Sequence, residues 1–360
     1  MGEKMENKIP IWPSDFCFDG ESIWIFHGRL NAIFRYKYKE NILNYVTSVP
    51  NENIVEDILF SRMAVYDNKL FLIPFKAKYI TIYDIENDKF EFLELELINY
   101  HHEFQEMCVC GKYIYCFPCS CQFPIIKIDM ENSKIDKYIT IKQNKKDKIY
   151  NHVYEKDNVL YGVIYPSNEY FVFDCQKDTF VFYTGEKKDC KYSSIICNEK
   201  NIYLHDADSP NILKIDKKSK KIIGKIPLDE NGYRFRGFLN GELFIDYCNI
   251  DKKILINLET NQIQKICVEP NVNVFCDYWY EYGVFHEYNN LSFYFNRSNG
   301  YLYIFNEDQM VKVTLTTDRD FLDNLIDRVQ IDRITESQEW DLCQYIKYVG
   351  HIGDRNIKKE

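Results

Sequence analysis

Between Arg62 and Leu97 the apolar residues fall into four short runs, RMAVYDNKL, FLIPF, YITIYDIENDKF and FEFLELEL, divided by polar turns. The runs are dense in Tyr, Phe, Ile and Val, which fit a pleated, half-buried surface, and they break at Asp-Asn, Asn-Lys and Gly-Lys pairs that suit tight turns. The same plan recurs along nearly the whole chain. Its register is marked by the third run, which closes on an apolar residue followed by a polar one: Tyr36-Lys37, Tyr83-Asp84, Ile128-Asp129, Phe173-Asp174, Ile215-Asp216, Ile256-Asn257 and Phe305-Asn306. Successive second members lie 47, 45, 45, 42, 41 and 49 residues apart, which makes seven units.

Four short strands per unit, repeated at this period, predict an all-β chain: a seven-bladed β-propeller of four-stranded blades. A two-layer sandwich has no reason to hold so regular a spacing, and helical repeats of similar length conflict with the residue types. The units run over about 14–49, 60–97, 104–141, 150–185, 192–228, 235–268 and 283–315, each with its four strands contiguous in the sequence. Closure then needs no strand exchanged between the chain ends. A lead-in, residues 1–13, offers Ile9, Ile11 and Trp12 for packing, and it could add to a sheet edge.

The pattern changes after Leu315. In Asp318 to Val329 the residues Phe321, Leu322, Leu325, Ile326 and Val329 share one helical face, with Asp318 and Asp320 near the positive N-terminal end. A second helix is expected from Thr335, whose side chain can form a capping box with Gln338. Residues 316–360 are therefore expected to be a helical tail that covers the propeller or docks a partner.

A 360-residue chain is long for an ordinary domain, yet seven blades use it as one. The formal net charge of -10 argues against a general nucleic-acid surface, and the basic run KQNKKDK at 142–148 reads as a solvated loop. Thirteen cysteines, the lack of an apolar leader in MGEKMENKIPIWPSD and the lack of any run long enough to span a bilayer lead to an expectation of a cytoplasmic protein without membrane insertion. Glu6-Asn7 after Met1-Gly2 gives no acylation motif.

From Ser14 to Leu315 the repeat resembles the kelch-like and WD-repeat propellers in architecture. The double glycine of kelch units is absent, and the third strands end in pairs such as Tyr83-Asp84 where WD units end in Trp-Asp. The resemblance implies blades around a central channel that serve as a binding platform or, in some members, an enzyme. It transfers no catalytic residue.

In such a fold the first strand of each blade faces the channel. Counting back eight residues from the first apolar residue of each second strand selects Asp15, Arg62, Glu106, His152 and Ser194; a shorter hairpin in unit six selects Arg236, and unit seven gives Gly283. Six of these seven positions are polar and they differ in chemistry. Either they line a water-filled channel, or they converge on a polar ligand at its mouth, with Arg62 and Arg236 gripping a carboxylate or phosphate. His27, His101, His102, His152 and His205 fall toward the same side, near Glu103, Glu106, Asp206 and Asp208, so a divalent cation or a histidine base is open as an alternative. In the link CDYWYEYG, Trp279 with Tyr278, Tyr280 and Tyr282 could stack on a sugar.

Cys108, Cys110, Cys116, Cys119 and Cys121 cluster in unit three. Cys108 and Cys110 are spaced by one residue, which on a strand points both into blade packing, so they read as small buried hydrophobes rather than a zinc or redox site. No nucleophile elbow, phosphate loop or paired-histidine metal motif is present. The expected function is a non-catalytic platform for a protein or glycan, with no cofactor. The alternative is a hydrolase or lyase using His152, Glu106 and a divalent cation, in the manner of propeller lyases that open cyclic esters.

Overall fold

A computed structural model of the chain describes residues 8–11, 13–27, 31–50, 52, 58–96, 103–140, 149–185, 189–247, 252–266, 283–288, 290–296, 301–306 and 309–318. The chain is an all-β, seven-bladed β-propeller, and every blade is a four-stranded antiparallel sheet whose strands follow one another in sequence. The first strands of blades one to seven are Pro13–Phe18, Phe60–Tyr66, Phe104–Cys110, Ile149–Lys156, Tyr192–Cys197, Tyr233–Leu239 and Val284–Tyr288. All the regular elements among the described residues are strands, and no helix there is long and apolar enough to cross a membrane.

The polar mark at the end of the third strand has a local cause in blades two to six. Asp84 Oδ1 accepts from the backbone N–H of Glu86 and Asn87, Asp129 Oδ1 from Asn132, Asp174 Oδ1 from Gln176 and Lys177, and Asp216 Oδ1 from Ser219. Asn257 does the same for Glu259 and Thr260. These side chains stand in for a backbone acceptor and fold the following turn back on itself. The turn then passes through the left-handed region at Asn41, Asp88, Ser133, Asp178, Lys220 and Asn261, with φ between 50° and 59°. The hairpins joining first and second strands turn at Asp67-Asn68, Asp157-Asn158 and Asn240-Gly241, where both residues have positive φ, the geometry whose twist matches paired strands.

The buried side chains gather between successive blades. One cluster joins blades two and three through Phe71, Ile82, Ile114 and Ile126; a second joins blades three and four through Tyr115, Phe117, Tyr150 and Phe171. Two more join blades four and five, then five and six, around Val163 with Leu204 and Tyr203 with Ile245. Contacts divide the chain into two compact units, one of Met1–Met63, Lys76–Lys78 and Asn271–Glu360 and one of Ala64–Phe75 and Tyr79–Pro270. In the first unit, blades one and seven pack together around Phe16, Ile25, Phe34, Phe293 and Phe295, and Ile11 and Leu315 join the same cluster.

The lead-in is a strand after all: Lys8–Pro10 pairs antiparallel with Thr316–Asp318 in a separate two-stranded sheet. Ile11 extends this pairing by donating its N–H to Leu315 O at 2.8 Å. Asp318, the expected start of a helix, closes this strand; both helices expected beyond it, and Trp12, lie outside the described residues.

Gly162, in the second strand of blade four, is required for space rather than for backbone conformation. A Cβ there would run into the ring of Phe171, its cross-strand partner, which stacks at 6.0 Å on Phe117 of blade three. Gly162→Ala is therefore expected to lower stability by about 1–3 kcal/mol, the usual cost of overpacking, and the midpoint of chemical denaturation checks it. Unchanged stability would mean that Phe171 repacks without loss.

Candidate functional site

The first strands share a defect. In blade one the pairing runs Pro13 with His27 and then Asp15 with Phe26, so Ser14 is one residue too many for its partner strand. The same bulge falls at Gln105, Asn151 and Ser193 in blades three, four and five. Asp15, Glu106, His152 and Ser194 are the residues immediately after it, paired with Phe26, Phe117, Val163 and His205. The sequence count thus lands on one structural position in four blades. It does not in blade six, where the bulge has slid to Arg236 and the residue opposite Asp246, which matches Phe26 and His205, is Arg234. Blade seven is paired without a bulge, and Gly283 lies just before its first strand in a space that a Cβ would share with Tyr294.

A bulge interrupts the ladder and leaves backbone groups to be satisfied from elsewhere. In this chain two first-strand N–H groups find their acceptor on a neighbouring blade, one of them just past the bulge at Ser193. Asp15 Oδ2 accepts from Met63 N–H at 2.8 Å, and His152 Nδ1 accepts from Ile195 N–H at 3.2 Å. Met63 and Ile195 each follow the counted position of the next blade, Arg62 and Ser194, by one residue. The bulge residue Asn151 repeats the motif, donating from Nδ2 to Ser193 O at 2.7 Å while its Oδ1 accepts from Arg234 Nη2 at 3.0 Å. The bond to Ile195 requires an unprotonated His152 Nδ1.

Asp15 is 1% exposed, and its second oxygen meets His286 Nε2 at 3.0 Å. Burial by itself would raise its pKa; the His286 charge and hydrogen bond, the Arg62 guanidinium and the Met63 N–H together outweigh this and hold the carboxyl below its ordinary value. His286 was not selected by the count, which falls on Gly283, three residues earlier in the chain. A search for any polar residue within the run VFHEY would have found it. The Phe16 ring meets the His286 ring edge-on at 4.8 Å.

The remaining candidates are built into the sheets. Arg62 Nη1 donates to Ser61 O at 3.0 Å. Arg236 reaches the buried Asp246 at 3.3 Å, and Lys253 reaches the same carboxylate at 2.9 Å, so this guanidinium belongs to an internal ion triad. Glu106 and Ser194 are 7% and 0% exposed. His205 is buried against Tyr233, its ring stacked at 3.5 Å and its Nδ1 at 2.7 Å from Ser193 Oγ. Burial, and then the Arg234 charge, push its pKa down to about 3, only partly offset by the Tyr233 backbone, so the ring is neutral at physiological pH and a weak base.

Among the described residues, no group of three His, Cys, Asp or Glu side chains is placed to hold a metal ion. Cys108, Cys110 and Cys121 pack in the cluster between blades three and four and Cys116 in that between two and three, which is the apolar role read from their spacing. Burial pushes the Cys110 thiol up, and does the same to Cys116 and Cys175, beyond the range of a reactive thiolate. Trp279 and its tyrosines, His101, His102 and the basic run 142–148 lie outside the described residues.

No family model and no curated protein matches the sequence. Solved structures do match the fold. Virginiamycin B lyase from Staphylococcus aureus superposes with a TM-score of 0.60 at 11% identity, covering 81% of this chain and 96% of that one. Hydrazine synthase of Kuenenia stuttgartiensis gives 0.58 at 10% identity over 86% and 99%, and a chain of the mitotic checkpoint complex gives 0.57 at 7% identity over 87% and 92%. At such identities the likeness concerns the propeller alone.

Because the folded Asp15 carboxyl titrates below its unfolded value, its contribution to stability is complete above pH about 4 and is lost as pH falls through the lower, folded value. Denaturation midpoints measured from neutral to acid pH should therefore fall more steeply for wild type than for Asp15→Asn. Asp15→Ala, which leaves the Met63 N–H without its acceptor, should cost about 1–3 kcal/mol at neutral pH. Parallel acid limbs for wild type and Asp15→Asn would refute the charge-based account.

Proposed function

We propose that this chain is a non-catalytic binding platform that holds a protein or glycan partner on the side of the blades bearing the long links. The observation that carries the reading is the use of Asp15 and His152 as acceptors for Met63 and Ile195 N–H: these side chains hold first strands together, which is a structural duty. The propeller is a common scaffold for protein binding. Its links are unequal in length in a way that suits this use. The hairpins between first and second strands turn in two residues at 67–68, 111–112 and 157–158, whereas at the other strand ends the chain runs through 48–59, 94–103 and 140–148 between blades. Long links can vary without disturbing a sheet, and binding residues concentrate on such segments. We place Trp279 in the glycan-facing set on its sequence context, and the protein in the cytoplasm, where the buried thiols Cys108, Cys110 and Cys116 stay reduced.

Three measurements on the full chain test the platform. Affinity capture with crosslinking should recover a protein joined through residues 94–103 or 140–148, or a glycan array should give a signal that Trp279→Ala removes. Substitutions in the two-residue turns at 67–68 and 157–158 should leave either signal intact. Crosslinks confined to the turn side, or an array signal unchanged by Trp279→Ala, would count against it. Turnover of a cyclic ester or glycoside that requires added Mg²⁺ and is lost in His152→Gln would replace the platform with the enzymatic reading.

A further inference from the structure

The turn end of blade five carries a charge that the rest of the chain does not predict. From Lys214 to Lys225 the sequence KIDKKSKKIIGK holds six lysines and one acid, in a protein of net charge -10. The hairpin turns at 198–200 and 217–221 bound a concavity of about 500 Å³ lined by Lys200, Lys214, Lys217 and Lys218. Two acids share the lining, and both are engaged. Glu199 pairs with Lys156 at 3.0 Å, and Asp216 Oδ1 accepts the Ser219 N–H at 2.6 Å to close the turn. Lys217 donates to Asn198 O at 3.3 Å, and Lys200 and Lys214 have no ion-pair partner among the described residues.

Two further features show that the turn itself does not call for this charge. Four equivalent turns place Asn41, Asp88, Asp178 or Asn261 at the left-handed position, residue types that tolerate it well, and blade three places Ser133 there; blade five places Lys220, at φ 59°. Lys220 is held below the ordinary lysine pKa by burial first and by the Lys217 charge second. Gly224, paired with Lys214 and hence on the same sheet face, has ordinary negative φ, and a Cβ on it would meet nothing within 4 Å. A strand interior loses stability with glycine, so a glycine that neither backbone nor packing demands leaves room for an approaching chain.

We infer that this concavity binds a short acidic polypeptide segment, its carboxylates or phosphates set against Lys200, Lys214 and Lys218. The lining contains no arginine and no aromatic ring for base stacking, and the exposed Ile223 offers an apolar contact suited to a peptide. A long nucleic acid would also run beyond the patch into the field of an acidic molecule. This surface is formed by the hairpins within blade five and not by the links between blades invoked for the platform, so it adds a second partner site.

The test is fluorescence anisotropy of a labelled octaglutamate peptide with the full chain. Lys200→Glu with Lys214→Glu should weaken binding about tenfold, and raised salt should weaken wild-type binding too. Lys89→Glu with Lys265→Glu, exposed lysines elsewhere that impose the same change in net charge, should leave the affinity within about twofold. Gly224→Val should fold as wild type does and bind several-fold more weakly. The proposal is overturned if wild type does not bind the peptide, if both double variants lose affinity equally, if Gly224→Val binds as wild type does, or if a single-stranded oligonucleotide of equal charge binds more tightly.

Discussion

A β-strand that carries one residue too many cannot satisfy its own backbone, and that constraint shapes the inner edge of this propeller. The bulges at Ser14, Gln105, Asn151 and Ser193 interrupt four first-strand ladders. A side chain from a neighbouring blade bonds to the backbone two residues past the bulge at Ser193, His152 to Ile195 N–H, and Asp15 does the same for Met63 N–H in the first strand of blade two. Magnitudes separate the duties. Burial of one large apolar side chain contributes about 1.5–3 kcal/mol, so the clusters around residues such as Tyr115, Phe171 and Tyr203 supply most of the cohesion between blades. A typical hydrogen bond adds roughly 1 kcal/mol net, but an apolar contact tolerates sliding and a hydrogen bond does not. The polar belt therefore sets the relative position of blades that the apolar clusters hold together.

This division explains why an aspartate and a histidine occupy equivalent places. The position after the bulge needs a lone pair directed at the next blade, and Asp15 Oδ2 and His152 Nδ1 each provide one. The difference between these two residue types, which suggests a ligand when read as sequence, follows equally from a requirement for an acceptor. The arginines of the column, which donate to Ser61 O and Asp246, and Ser194, whose buried Oγ makes no hydrogen bond among the described residues, do not share that duty. Asp15 shows how far the structural duty extends: both oxygens are taken, one by Met63 and one by His286, so a group that looks reactive has no lone pair directed at solvent.

What could be read from the chain was whatever local chemistry enforces. The period was visible because in five blades the third strand ends where an Asp or Asn side chain caps the next turn, a contact spanning two or three residues. The cysteines of blade three were legible for the same reason, since strand alternation alone sends Cys108 and Cys110 to one face. Position along the first strand was less secure. Moving the bulge by two residues in the Tyr-Arg-Phe-Arg-Gly stretch pairs Arg234 with Asp246 and leaves Arg236 as the bulged residue, and nothing local records the move. His286 is further from view: its partner Asp15 is 271 residues away, and only the packing of blade seven on blade one brings them together.

The same reasoning separates framework from surface in blade five. Asp216 is retained by the turn, as Asp84, Asp129, Asp174 and Asn257 are by theirs, so its charge carries no information about ligands. The residues that follow are under no such constraint. Blade two has Glu86 and Asn87 there, blade four Gln176 and Lys177, blade six Glu259 and Thr260, and each turn closes equally well. Lys218 thus occupies a position where geometry is indifferent to side-chain charge, Lys217 stands where the other turns place the apolar Ile85, Met130, Cys175 and Leu258, and Lys220 occupies a position where geometry disfavours lysine. A positive cluster that the fold neither requires nor rewards, on a molecule of opposite net charge, is explained by what it meets in solution.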